Sequence, residues 1–227
     1  MLEDAERNHR SWFGRLAEEV DVEGVTLFLA PGDATIAFPA AGSDPKPAVE
    51  RALAEGVREI GCWALARDER LGARLTALGF QDGWQPHWMG LDPREFDCEQ
   101  AQHVSETSEC AESLPYASPA HRAVIGGHVH HFVAREAQLG AQDGGPIVGH
   151  AVLNVDGTTA GLYDMGVAAQ HRRRGHGSAL TAAAIVRARQ LGCTSVTLNA
   201  TGEGAPMYRR AGLRSLGLGM TWWMFPR

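Results

Sequence analysis

Gln170-His171-Arg172-Arg173-Arg174-Gly175-His176-Gly177-Ser178 joins the run Thr159–Ala168 (TAGLYDMGVA) to an alanine-rich run, Ser178–Leu191. The first run reads as a strand and the second as a helix, which makes the quoted stretch a glycine-bearing strand-to-helix loop. Such a loop is built for anions. The first turn of a helix carries N–H groups without intrahelical partners, and the helix dipole places partial positive charge there. Gly175 and Gly177 let a phosphate approach the main chain. Arg172, Arg173 and Arg174 add full charges and planar donors. A basic triplet alone is also what a solvated surface looks like, so the argument depends on what surrounds it.

The loop is not a Walker loop, because no Gly-Lys-Ser/Thr follows, and it lacks the three glycines of the dinucleotide fingerprint. Arg172-x-x-Gly175-x-Gly177, after a strand and opening a helix, resembles the acyl-CoA pyrophosphate loop of the GCN5-related N-acetyltransferases. The resemblance implies that acetyl-CoA is the acyl donor and that Arg172, Arg173, Arg174, Gly175, His176, Gly177 and Ser178 hold its phosphates. It also implies that the strand before the loop splays from the next parallel strand, with pantetheine lying between them. Met165, Gly166 and Val167 would then line one side of that gap, and Leu198, Asn199 and Ala200 the other. The Val167 N–H would face the reacting carbonyl. Gly166 is also what a β-bulge looks like, and a bulge would produce the splay.

Composition bounds the rest. With 227 residues, 44% hydrophobic and 21% charged, the chain matches a soluble globular protein of one large or two small domains. No apolar run approaches the ~20 residues of a membrane span. Met1–Arg7 is acidic and polar, unlike a signal peptide. Cys62, Cys98, Cys110 and Cys193 form no C-x-x-C pair and read as reduced thiols, so the expected location is cytoplasmic. The net charge of −6 is unevenly spread: residues 1–110 hold ten basic and 21 acidic side chains, residues 111–227 eleven and six. A basic C-terminal half suits a ligand rich in phosphate. The acidic N-terminal half argues against nucleic acid, and is either a solvated surface or a surface for a cationic substrate.

In chain order the pattern predicts a helix over Asp4–Val20, strands at Val25–Ala30 and Ala34–Phe38, and a proline-rich loop at Pro39–Pro47. A helix at Ala48–Glu55, a strand at Glu59–Leu65 and a helix at Asp68–Leu78 follow, and Gln81–Leu91 reads as a strand or bent hairpin. The polar stretch 92–119 reads as a linker, and Ala120–Gly127 is ambiguous. His130–Glu136 and Ile147–Val155 read as strands around a Gly140–Pro146 turn. Ser195–Asn199 is a strand, Ala205–Arg210 a short helix and Met220–Phe225 a final strand. A faint repeat runs through this order: helix, Gly56, strand, helix, Leu78-Gly79-Phe80, Trp88-Met89 parallels helix, Gly192, strand, helix, Ala211-Gly212-Leu213, Trp223-Met224. The expected fold is therefore α/β, two acyltransferase-like units with mixed sheets flanked by helices. The division is a degenerate unit over 1–91, a linker over 92–119 and a catalytic unit over 120–227. The first unit has no paired glycines at Pro39–Pro47, and Leu75 where the second has Tyr208.

Ala205-x-x-Tyr208-x-x-x-Gly212 is similar to the family's A-x-x-Y-x-x-x-G segment, whose tyrosine lies near the sulfur and can protonate the departing thiolate. A half-buried packing aromatic is the plainer reading of Tyr208. Gly202, where the family often has Asn, and Leu213, where it has Phe, depart from the pattern. Family members often place an acidic general base near Asp164; the same residue could pair with an arginine or cap a turn. His150, Glu203 and His131 are the rivals for that role. His128, His130 and His131 cannot all face one side of a strand, and no metal is expected. Asn199-Ala200-Thr201 matches a glycosylation sequon but reads better as a strand end beside the cofactor. The expected activity is direct acetyl transfer from acetyl-CoA to a primary amine of a small-molecule or peptide acceptor. No nucleic-acid or membrane partner is expected, and a homodimer stays open. The alternatives are a non-catalytic acyl-CoA-binding sensor and a two-domain scaffold without cofactor.

Overall fold

A computed structural model describes residues 1–97, 104–107, 124, 126–136 and 145–226. Helix α1 (Leu2–Leu16) carries Glu3 and Asp4 in its first turn and Arg15 in its last, matching the helix dipole. It stops at Ala17, which is fully extended, and residues Glu18–Val22 form strand β1 instead of continuing the helix. The cause lies just beyond, where Glu23 and Gly24, at φ 53° and 81°, make a two-residue hairpin that returns as β2 (Val25–Ala30). Val20, read from its spacing as part of the helix, is therefore a strand residue opposite Leu27.

β3 (Asp33–Ala37), α2 (Lys46–Ala54), β4 (Glu59–Ala64) and α3 (Glu69–Ala77) follow close to their predicted positions. Asp68 caps α3 by accepting from the N–H groups of Arg70 and Leu71. Gln81–Leu91 is neither one strand nor a hairpin. It divides into β5 (Gln81–Asp82) and β6 (His87–Leu91), which belong to different sheets. The stretch read as a linker supplies β7 (Val104–Thr107), paired with β8 (Val129–Arg135); residues 108–123 lie outside the described residues. Most of Ala120–Gly127 and of the Gly140–Pro146 turn also lies outside them. The chain continues as β9 (Ile147–Asp156), β10 (Thr159–Val167), α4 (His176–Gln190), β11 (Ser195–Ala200), α5 (Ala205–Arg210), β12 (Arg214–Leu218) and β13 (Met220–Met224). β12 was not anticipated, because its glycine-interrupted, largely exposed sequence lacks an apolar alternation.

Among the described residues two mixed sheets form, in the orders β1-β2-β3-β4-β13-β5 and β12-β6-β11-β10-β9-β8-β7. This is the expected α/β architecture of two units. The units exchange strands, however. β6, from the first half of the sequence, lies between β12 and β11, while the C-terminal β13 lies between β4 and β5. The chain crosses itself where Gly219 N–H bonds Pro86 O at 2.8 Å and Thr221 N–H bonds Trp84 O at 3.2 Å. No cut at residues 91 or 120 separates the two sheets.

Each sheet has its own core. On the larger one, Leu180, Ala183, Ala184 and Ile185 of α4 pack on Leu153, Leu162, Val196 and Leu198. On the smaller one, Val49, Leu71 and Leu75 pack on Ile36, Ile60 and Trp222. Helix α1 joins the two. Its Trp12 stacks on Tyr163 with centroids 5.0 Å apart, and Asn8 donates to the carbonyls of Asn154 and Thr159 and accepts from the Tyr163 hydroxyl. On its other side His9 and Phe13 meet Trp63 and Phe28. Burial of aromatic side chains stabilises by about 1.5–3 kcal/mol each, so this seam is a main adhesive between the halves.

Candidate active site

The site begins with a defect in β10. Thr159 to Leu162 pair in parallel with Ser195 to Leu198, and there the ladder between β10 and β11 ends. On the other side of β10 the register with β9 shifts between Tyr163 and Gly166, an inserted residue that marks a β-bulge. Asp164 lies inside it with φ 45°, a left-handed conformation that Asp tolerates better than most residues. Beyond the bulge, β10 stays with β9 while β11 stays with β6, where Asn199 faces Trp88 and Ala200 faces His87. Met165–Val167 and Asn199–Ala200 thus border an opening.

The backbone of Val167 turns into this opening. Ala168 N–H bonds Val148 O at 2.8 Å, and Val167 stands opposite Gly149. Antiparallel ladders alternate bonded and non-bonded pairs, so the Val167 N–H and C=O point away from β9. The Val167 carbonyl accepts from Arg172 Nε at 3.1 Å. A short helical turn, Ala169–His171, leads into the basic loop, where Arg173 has φ 64° and Gly175, at φ 90°, caps the 15-residue α4. Arg172, Arg173, Arg174, Gly175 and Ser178 are exposed, while His176 is buried. Gly177 is seated so closely that a β-carbon there would come within 2.8 Å of Met207 Sδ. Exposed guanidinium groups, a left-handed glycine and the N-terminus of a long helix suit a diphosphate; the opening beside them suits an extended chain.

Two groups stand at the opening's rim, one on each face of the sheet. Tyr208 of α5 is buried, and its hydroxyl donates to Met165 Sδ at 3.4 Å. Burial pushes the phenol up to about 12, so its proton stays in place at neutral pH. On the opposite face of the sheet, Asp164 Oδ2 lies 3.5 Å from Nε2 of the buried His150. Of the rival bases, Glu203 is exposed in the turn before α5, and His131 bonds Val124 O at 2.8 Å. His130 bonds Glu106 at 2.6 Å, and His128 is exposed, so the three histidines do not converge.

Sequence reasoning missed Glu136. Its carboxylate lies 3.1 Å from Arg174 Nη1 and 3.4 Å from His171 Nδ1, an internal anion set against the basic loop. Its place at the end of β8, beside the loop only in space, gave no signal along the chain. In the N-terminal unit the equivalent opening is closed. The parallel ladder from Asp33/Glu59 continues to Ala37/Trp63, and Phe38 N–H adds a bond to Trp63 O at 2.8 Å.

The sequence matches the Acetyltransferase (GNAT) family over residues 97–213, just over half of the chain. No curated protein matches it. Among solved structures, a GCN5-related N-acetyltransferase from Kribbella flavida superposes with a TM-score of 0.71 at 18% identity, covering 98% of this chain and 95% of that one. A functionally unknown conserved protein from Staphylococcus epidermidis gives 0.64 at 15%, covering 93% and 95%. A tandem GNAT protein from the clavulanic acid biosynthesis pathway gives 0.54 at 13%, covering 89% and 79%. At these identities the likeness is one of fold.

Proposed function

The chain belongs to the GNAT acetyltransferase family, and from that premise we propose that it transfers an acetyl group from acetyl-CoA directly to a primary amine. The observation that carries this reading is the opening between β10 and β11, with the Val167 N–H turned into it. A strand edge left open beside an anion-binding helix end fits a ligand with a phosphate head and an extended amide-bearing arm.

In this reading Arg172, Arg173, Arg174 and the N–H groups around Gly175, His176, Gly177 and Ser178 bind the phosphates. Met165, Gly166 and Val167 on one edge, and Asn199 on the other, hold the arm. Acetyl-CoA supplies an activated thioester carbonyl. The Val167 N–H donates to the negative charge that develops on its oxygen. Asp164 takes the proton of the ammonium, the neutral amine forms the new C–N bond as the C–S bond breaks, and the second proton shed by the nitrogen passes through solvent to the departing thiolate, which leaves as the free thiol. Tyr208 holds the leaving sulfur. A phenol near 12 gives a thiolate a hydrogen bond more readily than a proton, because an ordinary thiol lies about 3.5 units lower. The amine approaches from the Asp164 face and the sulfur lies on the Tyr208 face, which keeps the proton acceptor and the leaving group apart.

The C-terminal unit is the catalytic one in this reading, and the closed N-terminal unit serves as its support. We assign a small-molecule or peptide amine as acceptor and the cytoplasm as location, the latter on the reduced, buried Cys62 and Cys193. The test is a screen of amines against acetyl-CoA, following free thiol release, with calorimetry of acetyl-CoA binding beside it. Binding without release from any amine would favour an acyl-CoA sensor; absence of binding would sink the reading altogether.

A further inference from the structure

We propose that Met165 is the positioning residue for Tyr208: its thioether holds the hydroxyl's single hydrogen until an acyl-CoA enters, then yields it to the thioester sulfur. The proposal rests on the reading of Tyr208 as the group that meets the leaving sulfur. Its geometric basis is the bulge in β10. Side chains alternate along a strand, so in a regular strand Met165 would share the face of Tyr163, two residues before it. Tyr163 faces α1, in contact with Trp12 and Val152. The inserted residue at Asp164 reverses the alternation, and Met165 joins Val167 on the α4 side instead. There it meets Tyr208 of α5, whose hydroxyl donates to Met165 Sδ at 3.4 Å.

Tyr208 is 9% exposed, and among the described residues Met165 Sδ is the one acceptor its hydroxyl has. Thr181 Oγ1 lies 4.0 Å from the same sulfur, but its hydrogen goes to Gly177 O at 2.9 Å. A phenol has one hydrogen to give. Tyr208 can therefore serve Met165 or a ligand's sulfur, not both. Each is an uncharged divalent sulfur bonded to two carbons, so the exchange is nearly like for like. Binding of the thioester then gains little from Tyr208. The thiolate that forms as the C–S bond breaks is charged and holds the same hydrogen more strongly. Met165 thus keeps a buried hydroxyl satisfied and aimed beforehand, and reserves its strength for the transition state. A leucine of similar volume would fill the same space, but only the sulfur supplies the acceptor. The flexible methionine side chain can also give way to the incoming arm.

The experiment measures Kd by calorimetry on the full chain, without amine, for two ligands. One is acetyl-CoA and the other its analogue with a methylene in place of the sulfur, which cannot accept a hydrogen bond. The ratio of the two constants cancels packing changes common to both. In Met165→Leu the hydroxyl has no acceptor of its own, and only the sulfur ligand supplies one. The advantage of acetyl-CoA over the methylene analogue should therefore grow about threefold to tenfold, the range of one neutral hydrogen bond. Met165→Gln, which removes the sulfur but keeps an acceptor, should leave the ratio at or below its wild-type value. In the double variant Tyr208→Phe, Met165→Leu the ratio should equal that of Tyr208→Phe alone. Met165→Ile repeats the test where the leucine chain does not fold. A ratio that grows by less than about twofold in Met165→Leu, or grows equally in Met165→Gln, overturns the proposal, as does growth that persists without the Tyr208 hydroxyl. If the wild-type chain binds neither ligand, the acyl-CoA reading falls and the proposal with it. If it binds both and the ratio stays fixed across the variants, the proposal alone falls.

Discussion

Acid should loosen the seam between the two units, and one residue should account for much of the effect. His9 is 3% exposed and ringed by Phe13, Phe38, Trp63, Trp88 and Tyr163, with centroids 4.6 to 5.8 Å away. Among the described residues its Nε2 has no hydrogen-bond partner. Loss of hydration in this apolar box lowers its pKa from 6.5 to about 3. The folded chain therefore keeps His9 neutral while the unfolded chain takes up a proton below pH 6.5. Stability is full above that value, falls as the pH drops, and stops falling near pH 3. At about 1.4 kcal/mol per unit, His9 costs roughly 2 kcal/mol at pH 5 and on the order of 5 kcal/mol at pH 3. His9→Leu, similar in volume and unable to titrate, should match or exceed wild-type stability at pH 7.5, because it also removes an unpaired buried nitrogen. Urea unfolding at pH 7.5 and pH 5 measures the difference. Between those two pH values the wild type should lose about 2 kcal/mol more than the variant. Parallel losses, equal within about 0.5 kcal/mol, would refute the reasoning and mean that His9 finds solvent or a partner.

Four further outcomes are expected. Tyr208→Phe should lower kcat by about 10²–10³-fold with little change in acetyl-CoA affinity, the cost of removing one hydrogen-bond donor from developing charge; a fall of less than about tenfold in thiol release would leave Tyr208 a packing residue. Asp164→Asn should show a defect that shrinks as pH rises, because more of the amine then loses its proton unaided; a pH-independent loss would assign Asp164 to structure or substrate positioning. Glu136→Gln should tighten CoA binding up to about fivefold at low salt, the range of an exposed ion pair, and leave pantetheine binding unchanged in calorimetry. CoA should saturate at one per chain, since Phe38 N–H closes the N-terminal opening onto Trp63; a stoichiometry of two would show that it opens.

The sequence carried those parts of the molecule that local chemistry determines. The basic loop, the Gly175 turn, the central strand and the helix behind it lie within a residue or two of their predicted places, because glycine spacing and apolar runs act over a few residues. The repeat was legible for the same reason: Leu78-Gly79-Phe80 and Ala211-Gly212-Leu213 close equivalent helices. What stayed hidden depends on partners far away in the chain. Val20 reads as helical until the Glu23-Gly24 turn pairs it with Leu27. Trp88-Met89 and Trp223-Met224 could be seen as equivalent strands, but nothing in either run tells which sheet receives it. Glu136 takes its meaning from Arg174, 38 residues away in the sequence.

The strand exchange also explains how the opening can exist. Two neighbouring strands left unpaired expose N–H and C=O groups that tend to find each other, and an opening between them would zip shut as it does between β3 and β4. Here each edge is held from behind. Gly166 and Val167 are fixed by His150 and Gly149 of β9, and the bulge turns their strand away. Asn199 and Ala200 are fixed by Trp88 and His87 of β6, which comes from the first half of the sequence. β6 is itself buried between β11 and β12, with Trp88 1% exposed in the aromatic seam beneath α1. One wall of the proposed catalytic opening is therefore braced by the unit that lacks an opening of its own. That gives the N-terminal half a mechanical role: its own β3–β4 ladder is closed, and its strand β6 keeps β11 from following β10.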